Sequence, residues 1–489
     1  MAEEPKLAVD LIVKRAIAGI VAFIISGFFI QLFNIFGNLA LSIILDPAVF
    51  GIFAIVSSLL NILVYFSDIG LAAALVQKKE EPTQGDLTST FTLQQIIIFT
   101  IVILGLLFSQ SIAKFYKLDS DGLMLLRVLF FSLILSSLKT IPSILLERKL
   151  NFVKLIIPQI VENVVFFVTA VTLALLGHGV ASFTWAVLAR GIVGLYLIYA
   201  LSPWMPRVGL NKLSTKNLTS FGLPFQLNST IALIKDDLLT VFLGKVLTFA
   251  EVGYIGWAQQ WAFRPLRFFM DSVNRVIFPA YSRLQDHKED LAKAVEKSIF
   301  FVTFFVYPSL FGLIAIAPNL VSLIPRYQKW EPALPLLYLF AINAVFSAVS
   351  TTCTNALFAT GRPKIVLKFM VFWTSATWIL TYPLITRFGY IGVGISSAIV
   401  ASTSIAMIYF VKKEIPIKVG KNILGPLFIS MVMFFAMRFL LQIMNNNFPS
   451  LILTVIIGAS IYLISSFAIF RKSLINDSMV IVNSIISRK

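Results

Sequence analysis

The sequence predicts an all-α integral membrane protein of about fourteen transmembrane helices: two pseudo-symmetric six-helix lobes followed by two C-terminal helices. Three observations carry this reading. Hydrophobic residues make up 58% of the 489 positions and charged residues 13%, with a mean hydropathy of +0.90, whereas a water-facing surface needs about a quarter of its residues charged. Fourteen apolar runs reach the roughly 20 residues that crossing a bilayer requires. A short pattern also recurs 202 residues apart, at matching places in the two halves.

The runs lie at about 14–38, 47–70, 87–110, 122–145, 155–176, 180–202, 218–243, 250–280, 295–317, 332–357, 365–385, 390–411, 420–441 and 450–470. The first is too long for a signal-peptide core and follows Glu3, Glu4 and Asp10, so it is expected to remain in the mature protein. An even number of spans places both termini on one face. Of the 40 lysines and arginines, 26 fall in loops and tails of that face, from Lys6, Lys14 and Arg15 to Arg488 and Lys489, and 7 in loops of the other. The positive-inside rule makes the basic-rich face cytoplasmic. Topology therefore accounts for most of the net charge of +17, and the case for nucleic acid lapses. The basic-poor loops are short, the longest having about 14 residues near 318–331, which leaves no room for a domain there.

The repeat consists of Leu41, Leu45, Ala48 and Gly51, which return as Leu243, Leu247, Ala250 and Gly253. Gly179-Val180-Ala181 before the sixth span and Gly392-Val393-Gly394 before the twelfth support it at an offset of 213. Six is even, so the halves have parallel topology. The expected organisation is an N-terminal lobe at 1–202, a cytoplasmic linker at 203–217, a C-terminal lobe at 218–411, and two further spans with a cytoplasmic tail at 412–489. Two such lobes around a central cavity would permit alternating access.

Several soluble classes are excluded. One cysteine, Cys353, excludes a disulfide framework and a cysteine-based zinc site; two histidines, His178 and His287, make no metal cluster. Neither a Walker A nor a GxGxxG motif occurs. No cofactor or metal is expected. His178 and His287 read as exposed and non-catalytic, and Cys353 as a small packing residue. Prolines inside spans, including Pro142, Pro158, Pro224, Pro308 and Pro383, offer bending points.

Three motifs carry a resemblance to a known family. Phe66-Ser67-Asp68-Ile69-Gly70-Leu71, running on to Val76-Gln77, lies at the basic-rich end of the second span. Ile144-Leu145-Leu146-Glu147-Arg148-Lys149-Leu150-Asn151-Phe152 follows the fourth, and Phe278-Pro279-Ala280-Tyr281-Ser282-Arg283-Leu284-Gln285 the eighth. Over roughly residues 10–415 the chain resembles the Wzx-type O-antigen flippases and polysaccharide transporters of the multidrug/oligosaccharidyl-lipid/polysaccharide (MOP) superfamily. The resemblance implies a MATE/MOP-like fold in a bacterial inner membrane. It also implies flipping of undecaprenyl-pyrophosphate-linked oligosaccharide, with other polysaccharide assembly proteins as partners. The motifs themselves read as structural joints and not as a binding site.

Each charge inside a span needs a reason, since insertion of one at mid-bilayer costs at least about 2.5–3.5 kcal/mol. In the eighth span Gln260, Arg264, Arg267, Asp271 and Arg275 share one face with Trp257, all within about 60° either side of one line. Arginine forks suit a diphosphate and an indole ring can stack on a sugar. The plainer reading is that Asp271 braces Arg267 and Arg275. Lys139 and Glu162 on adjacent spans form either a structural ion pair or a base released by a titrating, ion-coupling acid. Arg190, near mid-depth, is a candidate for an anionic head group.

Lys235, Asp236 and Asp237, with Asn228, make either an ion pair at the basic-poor mouth or a proton or cation site. Asp68 lies near the level of Lys14 and Arg15, so Asp68 and Arg15 are gate candidates, against a simple helix-end joint. Gln31, Asn34 and Asn38 share one face of the first span, and Asn343, Ser347, Ser350 and Thr354 one face of the tenth. Water, sugar hydroxyls or tight packing would each account for them.

The leading function is therefore a non-enzymatic flippase for lipid-linked oligosaccharide. A lipid II flippase is close to it. A multidrug/cation antiporter would need an acid-rich cavity, and here the intramembrane bases outnumber the acids. A membrane polysaccharide polymerase would need a large outer loop or a soluble catalytic domain. A passive scaffold gives no reason to bury a cationic stripe.

Overall fold

The computed structural model describes residues 27, 29–68, 70–78, 80–149, 151–211 and 234–486, with side chains except at 66–68, 73, 77, 271–276, 278, 279 and 471–486. No strand occurs among the described residues. The chain is a helical, multi-pass membrane protein, and among the described residues eleven helices are long and apolar enough to cross a bilayer. Arg15, Asn228, Pro224 and residues 212–217 of the expected linker lie outside the described residues.

In chain order the helices are α1 (Phe29–Ile44), α2 (Pro47–Asp68), α3 (Leu71–Gln77), α4 (Gln84–Tyr116), α5 (Ser120–Leu138), α6 (Thr140–Arg148), α7 (Phe152–Leu175) and α8 (Ala181–Leu201). There follow α9 (234–246), α10 (Phe249–Arg283), α11 (Lys288–Leu323), a 3-10 turn (Gln328–Ala333), α12 (Leu334–Ala359) and α13 (Pro363–Phe388). The last are α14 (Ile391–Ser402), α15 (Ile405–Glu414), α16 (Gly420–Ile443) and α17 (Phe448–Ile486). Two expected spans are broken, between α5 and α6 at Lys139 and between α14 and α15 near Thr403.

The chain forms two compact units, residues 1–256 and 257–489. Within the first unit, Leu41, Val56, Leu126, Phe130, Phe183 and Val187 make a buried core, where Phe53 stacks on Phe183 at 4.2 Å. Within the second, α16 and α17 pack on α11 through Ala315, Met433, Met437 and Tyr462.

Two of the sequence motifs meet at the basic-rich end of the first unit. Gly70 takes a left-handed conformation, φ 71°, which lets the chain turn from α2 into α3 where an L side chain would be strained. Leu71, Ala74 and Leu75 then pack against Leu87, Phe91, Ile141 and Ile144. Arg148 finishes the joint. Its Nη1 donates to the carbonyls of Leu75 at 2.7 Å and Lys78 at 2.7 Å, and its Nη2 to Glu80 at 2.8 Å, satisfying carbonyls that the end of α3 leaves without partners. Thr83 and Asp86 form a capping box that opens α4, and Lys78 binds Asp86 at 2.6 Å. Arg148→Ala is expected to lower stability by about 2–3 kcal/mol, since it orphans several carbonyls of charge-assisted bonds. Thermal unfolding of the purified protein measures this, and an unchanged midpoint would refute the capping role.

The third motif is also a joint. Tyr281 is buried with Ile277, Leu291, Val295 and Cys353, tying α10 to α11 and α12. His178 stands exposed between Gly177 and Gly179, both at positive φ, and His287 is exposed before α11.

Candidate functional site

In the first unit, charge gathers where α5, α7 and α8 pack. The break after α5 exposes the Lys139 ammonium to α7, and Nζ lies 2.7 Å from Glu162 Oε1, both side chains being about one-fifth exposed. Glu162 is ten residues from the start of α7, about 15 Å along the helix, which puts it near mid-depth. It fits because α8 offers Gly194 at that level. A Cβ on Gly194 would overlap Glu162 Oε1 and lie 2.7 Å from Glu162 Cγ.

One turn from Gly194, the Arg190 guanidinium lies over the Phe166 ring at 5.1 Å and also feels the Glu162 charge. One acid thus faces two bases, and positive charge is left over. Tyr199 donates to the Leu138 carbonyl at 3.1 Å and steadies the break.

In the second unit α10 presents Gln260, Arg264 and Arg267 over two turns. Arg267 is exposed. Arg264 lies over the Trp261 ring at 5.2 Å, and its Nη1 is buried with no hydrogen-bond partner among the described residues. Arg264 and Arg267, three residues apart, repel one another. A buried guanidinium nitrogen without an acceptor, beside a second guanidinium, is a group matched by an anion. The side chains of Asp271 and Arg275 lie outside the described residues.

Other predicted residues fall apart from these. Trp257 is not free to stack on a sugar. It is 5% exposed, stacked on Trp330 at 5.4 Å and 14°, and its Nε1–H donates to Tyr327 Oη at 3.0 Å. Helical spacing puts it on the same side of α10 as Gln260 and Arg264, where at its level an aromatic wall under the Gln328–Ala333 turn stands. Asn343 of α12 donates to Ser397 Oγ at 2.7 Å and accepts from Ser347, which makes it a packing joint with α14. Gln31 and Asn34 are half-buried on α1, and Asn38 bonds back to the Asn34 carbonyl at 2.7 Å. Asp237 accepts from Asn61 Nδ2 at 3.1 Å, and Asp236 is exposed. Asp68 ends α2, with its side chain outside the described residues.

A model of the family described as "Polysaccharide biosynthesis protein" matches residues 40–335. The chain belongs to this polysaccharide biosynthesis protein family. Among relatives, the succinoglycan biosynthesis transport protein ExoT of Rhizobium meliloti is 25% identical over 431 residues, covering 86% of this chain and 85% of that protein. The lipopolysaccharide biosynthesis protein WzxC of Escherichia coli is 24% identical over 383 residues, 75% of each chain. In fold the chain is similar to the lipid II flippase MurJ, with a TM-score of 0.77 at 16% identity over 93% of this chain and 100% of that one. An inward-facing multidrug MATE transporter of the MOP superfamily gives 0.59 at 15% identity, over 78% and 95%. The family is thus one of polysaccharide biosynthesis proteins, and this member has a fold similar to that of MOP-superfamily transporters.

Lys139, Glu162, Arg190, Arg264 and Arg267 all lie inside the region that the family model matches. Arg438 on α16 lies beyond it, and the sequence reading missed it. Its Nη1 donates to Ala315 O at 3.2 Å and Asn319 Oδ1 at 3.3 Å. Gln94 and Gln95 were also missed; they reach Thr140 and Ser137 across α4 and the α5–α6 break. An arginine or paired glutamines inside an apolar run was the available signal in each case.

Proposed function

We propose that this chain is a flippase that moves undecaprenyl-pyrophosphate-linked oligosaccharide across the cytoplasmic membrane by alternating access, with the basic-rich face and both termini in the cytoplasm. The observation that carries the reading is Arg264 Nη1, buried without a hydrogen-bond partner among the described residues, beside Arg267 on α10, the expected eighth span. Relatives named for succinoglycan transport and lipopolysaccharide biosynthesis support the substrate class. Arg264 and Arg267 on α10 and Arg190 on α8 would meet the diphosphate during its passage, and Lys139 would be released to it when Glu162 takes up a proton. Half-buried Gln31, Asn34 and Gln260 would serve sugar hydroxyls. Asp271, Asp236 and Asp237 remain the other coupling acids to test.

The test is complementation of a polysaccharide-flippase deletion strain at matched expression. The unmodified chain is expected to restore surface polysaccharide. Arg264→Ala, Arg267→Ala and Arg190→Ala are each expected to lose roughly tenfold or more, the worth of about 1.5–3 kcal/mol for a bond to a charged group. Full restoration by all three would discard this site. Failure of the well-expressed parent chain across several glycan systems would discard the function.

A further inference from the structure

The repeat in the sequence is also a repeat in space, and its two copies touch. In each copy the chain leaves a helix by the same bond, Leu45 N–H to the Leu41 carbonyl and Leu247 N–H to the Leu243 carbonyl, both 2.8 Å. The next helix then starts at equivalent places, Pro47 and Phe249. One turn on, Gly51 and Gly253 are both buried.

A Cβ on Gly51 would overlap the carbonyl oxygen of Phe249 and lie 2.7 Å from its carbon and 3.1 Å from Gly253 N. A Cβ on Gly253 would overlap the carbonyl oxygen of Pro47 and lie 2.8 Å from its carbon and 3.3 Å from Gly51 N. Residues 47 and 249 are related by the same 202-residue offset as 51 and 253, so the contact is reciprocal. All four residues belong to the unit that ends at Gly256.

The opening turns of α2 and α10 therefore lie backbone against backbone at the basic-poor end, a distance only glycine permits. Nothing as large as a sugar passes between backbones in contact. The forces here are dispersion and Cα–H···O contacts, each small, so the surfaces close tightly and separate at little cost. Further along, Asn61 of α2 donates to Asp237 of α9 at 3.1 Å, a bond that parting would also break.

We propose that Gly51 and Gly253 form a backbone latch that shuts the basic-poor end of the helix pairs α1–α2 and α9–α10, and that the fit of these glycines sets how often that end opens. Its consequence for transport rests on the flippase reading; the closure itself does not. A side chain at either glycine holds the copies apart and favours the state open at that end.

The test uses the full chain with Cys353→Ala and a reporter at Ser58→Cys. Ser58 is buried and lies seven residues beyond Gly51 on the same face of α2, about 10 Å further along. Intact cells are treated with a membrane-impermeant maleimide. Gly51→Ala and Gly253→Ala are each expected to raise the labelling rate at least about tenfold. Gly256→Ala, whose added Cβ meets nothing within 4 Å, is expected to leave it unchanged. Unchanged labelling in the two latch variants, inserted at normal levels, would overturn the proposal.

Should those variants fail to accumulate, spin labels at Asp46→Cys and Thr248→Cys keep the glycines intact. The latch requires a dominant short separation and a longer minor one in lipid vesicles. A single separation, unaltered by undecaprenyl pyrophosphate, would overturn it. Labelling is independent of glycan, so failed complementation with latch-dependent labelling would count against the flippase reading alone.

Discussion

Trp257→Ala is expected to lower the stability of the second unit by about 3–5 kcal/mol, the range for removing a buried tryptophan. The indole is buried against Trp330 and donates to Tyr327, so its loss leaves a void and removes a donor to the Tyr327 hydroxyl under the Gln328–Ala333 turn. Trp257→Phe keeps a ring for the stack and loses the donor, and should cost about 1–2 kcal/mol. Thermal unfolding in detergent separates the two. Trp330→Ala should be no worse in combination with Trp257→Ala than the stack allows, giving a coupling of the order of 1 kcal/mol in a double-mutant cycle. A tryptophan that served a sugar would instead show normal unfolding with lost transport, and that outcome would reverse the structural assignment.

Gly194→Ala is expected to abolish transport while sparing most of the fold. The methyl group would occupy the space of Glu162 Oε1, so the carboxylate must swing out and abandon Lys139. The pair is only partly buried, which keeps the stability loss to about 1–3 kcal/mol, below the figure for a fully buried pair. The distinguishing measurement is the double variant. If the clash with Glu162 is the cause, Gly194→Ala with Glu162→Ala should restore as much surface polysaccharide as Glu162→Ala alone, a non-additive result. Simple addition of the two defects would show that Gly194 acts through the packing of α8 and not through the ion pair.

The spans were legible because bilayer crossing imposes a length and a hydropathy that a run such as Ile96–Leu107 cannot disguise. The breaks were less so. Lys139 interrupts its span with a charge, but a charge alone does not tell whether the helix continues; the break shows only through the 3-10-type bond of Lys139 N–H to Ser136 O. Periodicity located the polar face of α10 and could not say what stands opposite each position on it. That is why Arg264 Nη1 has no hydrogen-bond partner among the described residues while Trp257, two turns away, meets an aromatic wall. The pairing of Lys139 with Glu162 could be anticipated from depth and adjacency, but the glycine that admits the carboxylate could not, because a close approach leaves no periodic trace. The repeat announced two equal turns and was silent on their meeting.

The reciprocal glycine contact also bears on how such a chain could arise. Between two identical half-length chains the same contact would be isologous, each glycine meeting the other copy's carbonyl about a dyad. One codon would then supply both sides of the interface, and a single change to glycine would complete it. Joined in one polypeptide, the two positions mutate separately, yet either substitution alone spoils both contacts' geometry. Neighbouring positions are free of that constraint. Ser42, bonded to the Leu39 carbonyl, and its counterpart Gly244, set against Ile55, have already parted company. Two copies that share their glycine and differ beside it are what a fused dyad would leave.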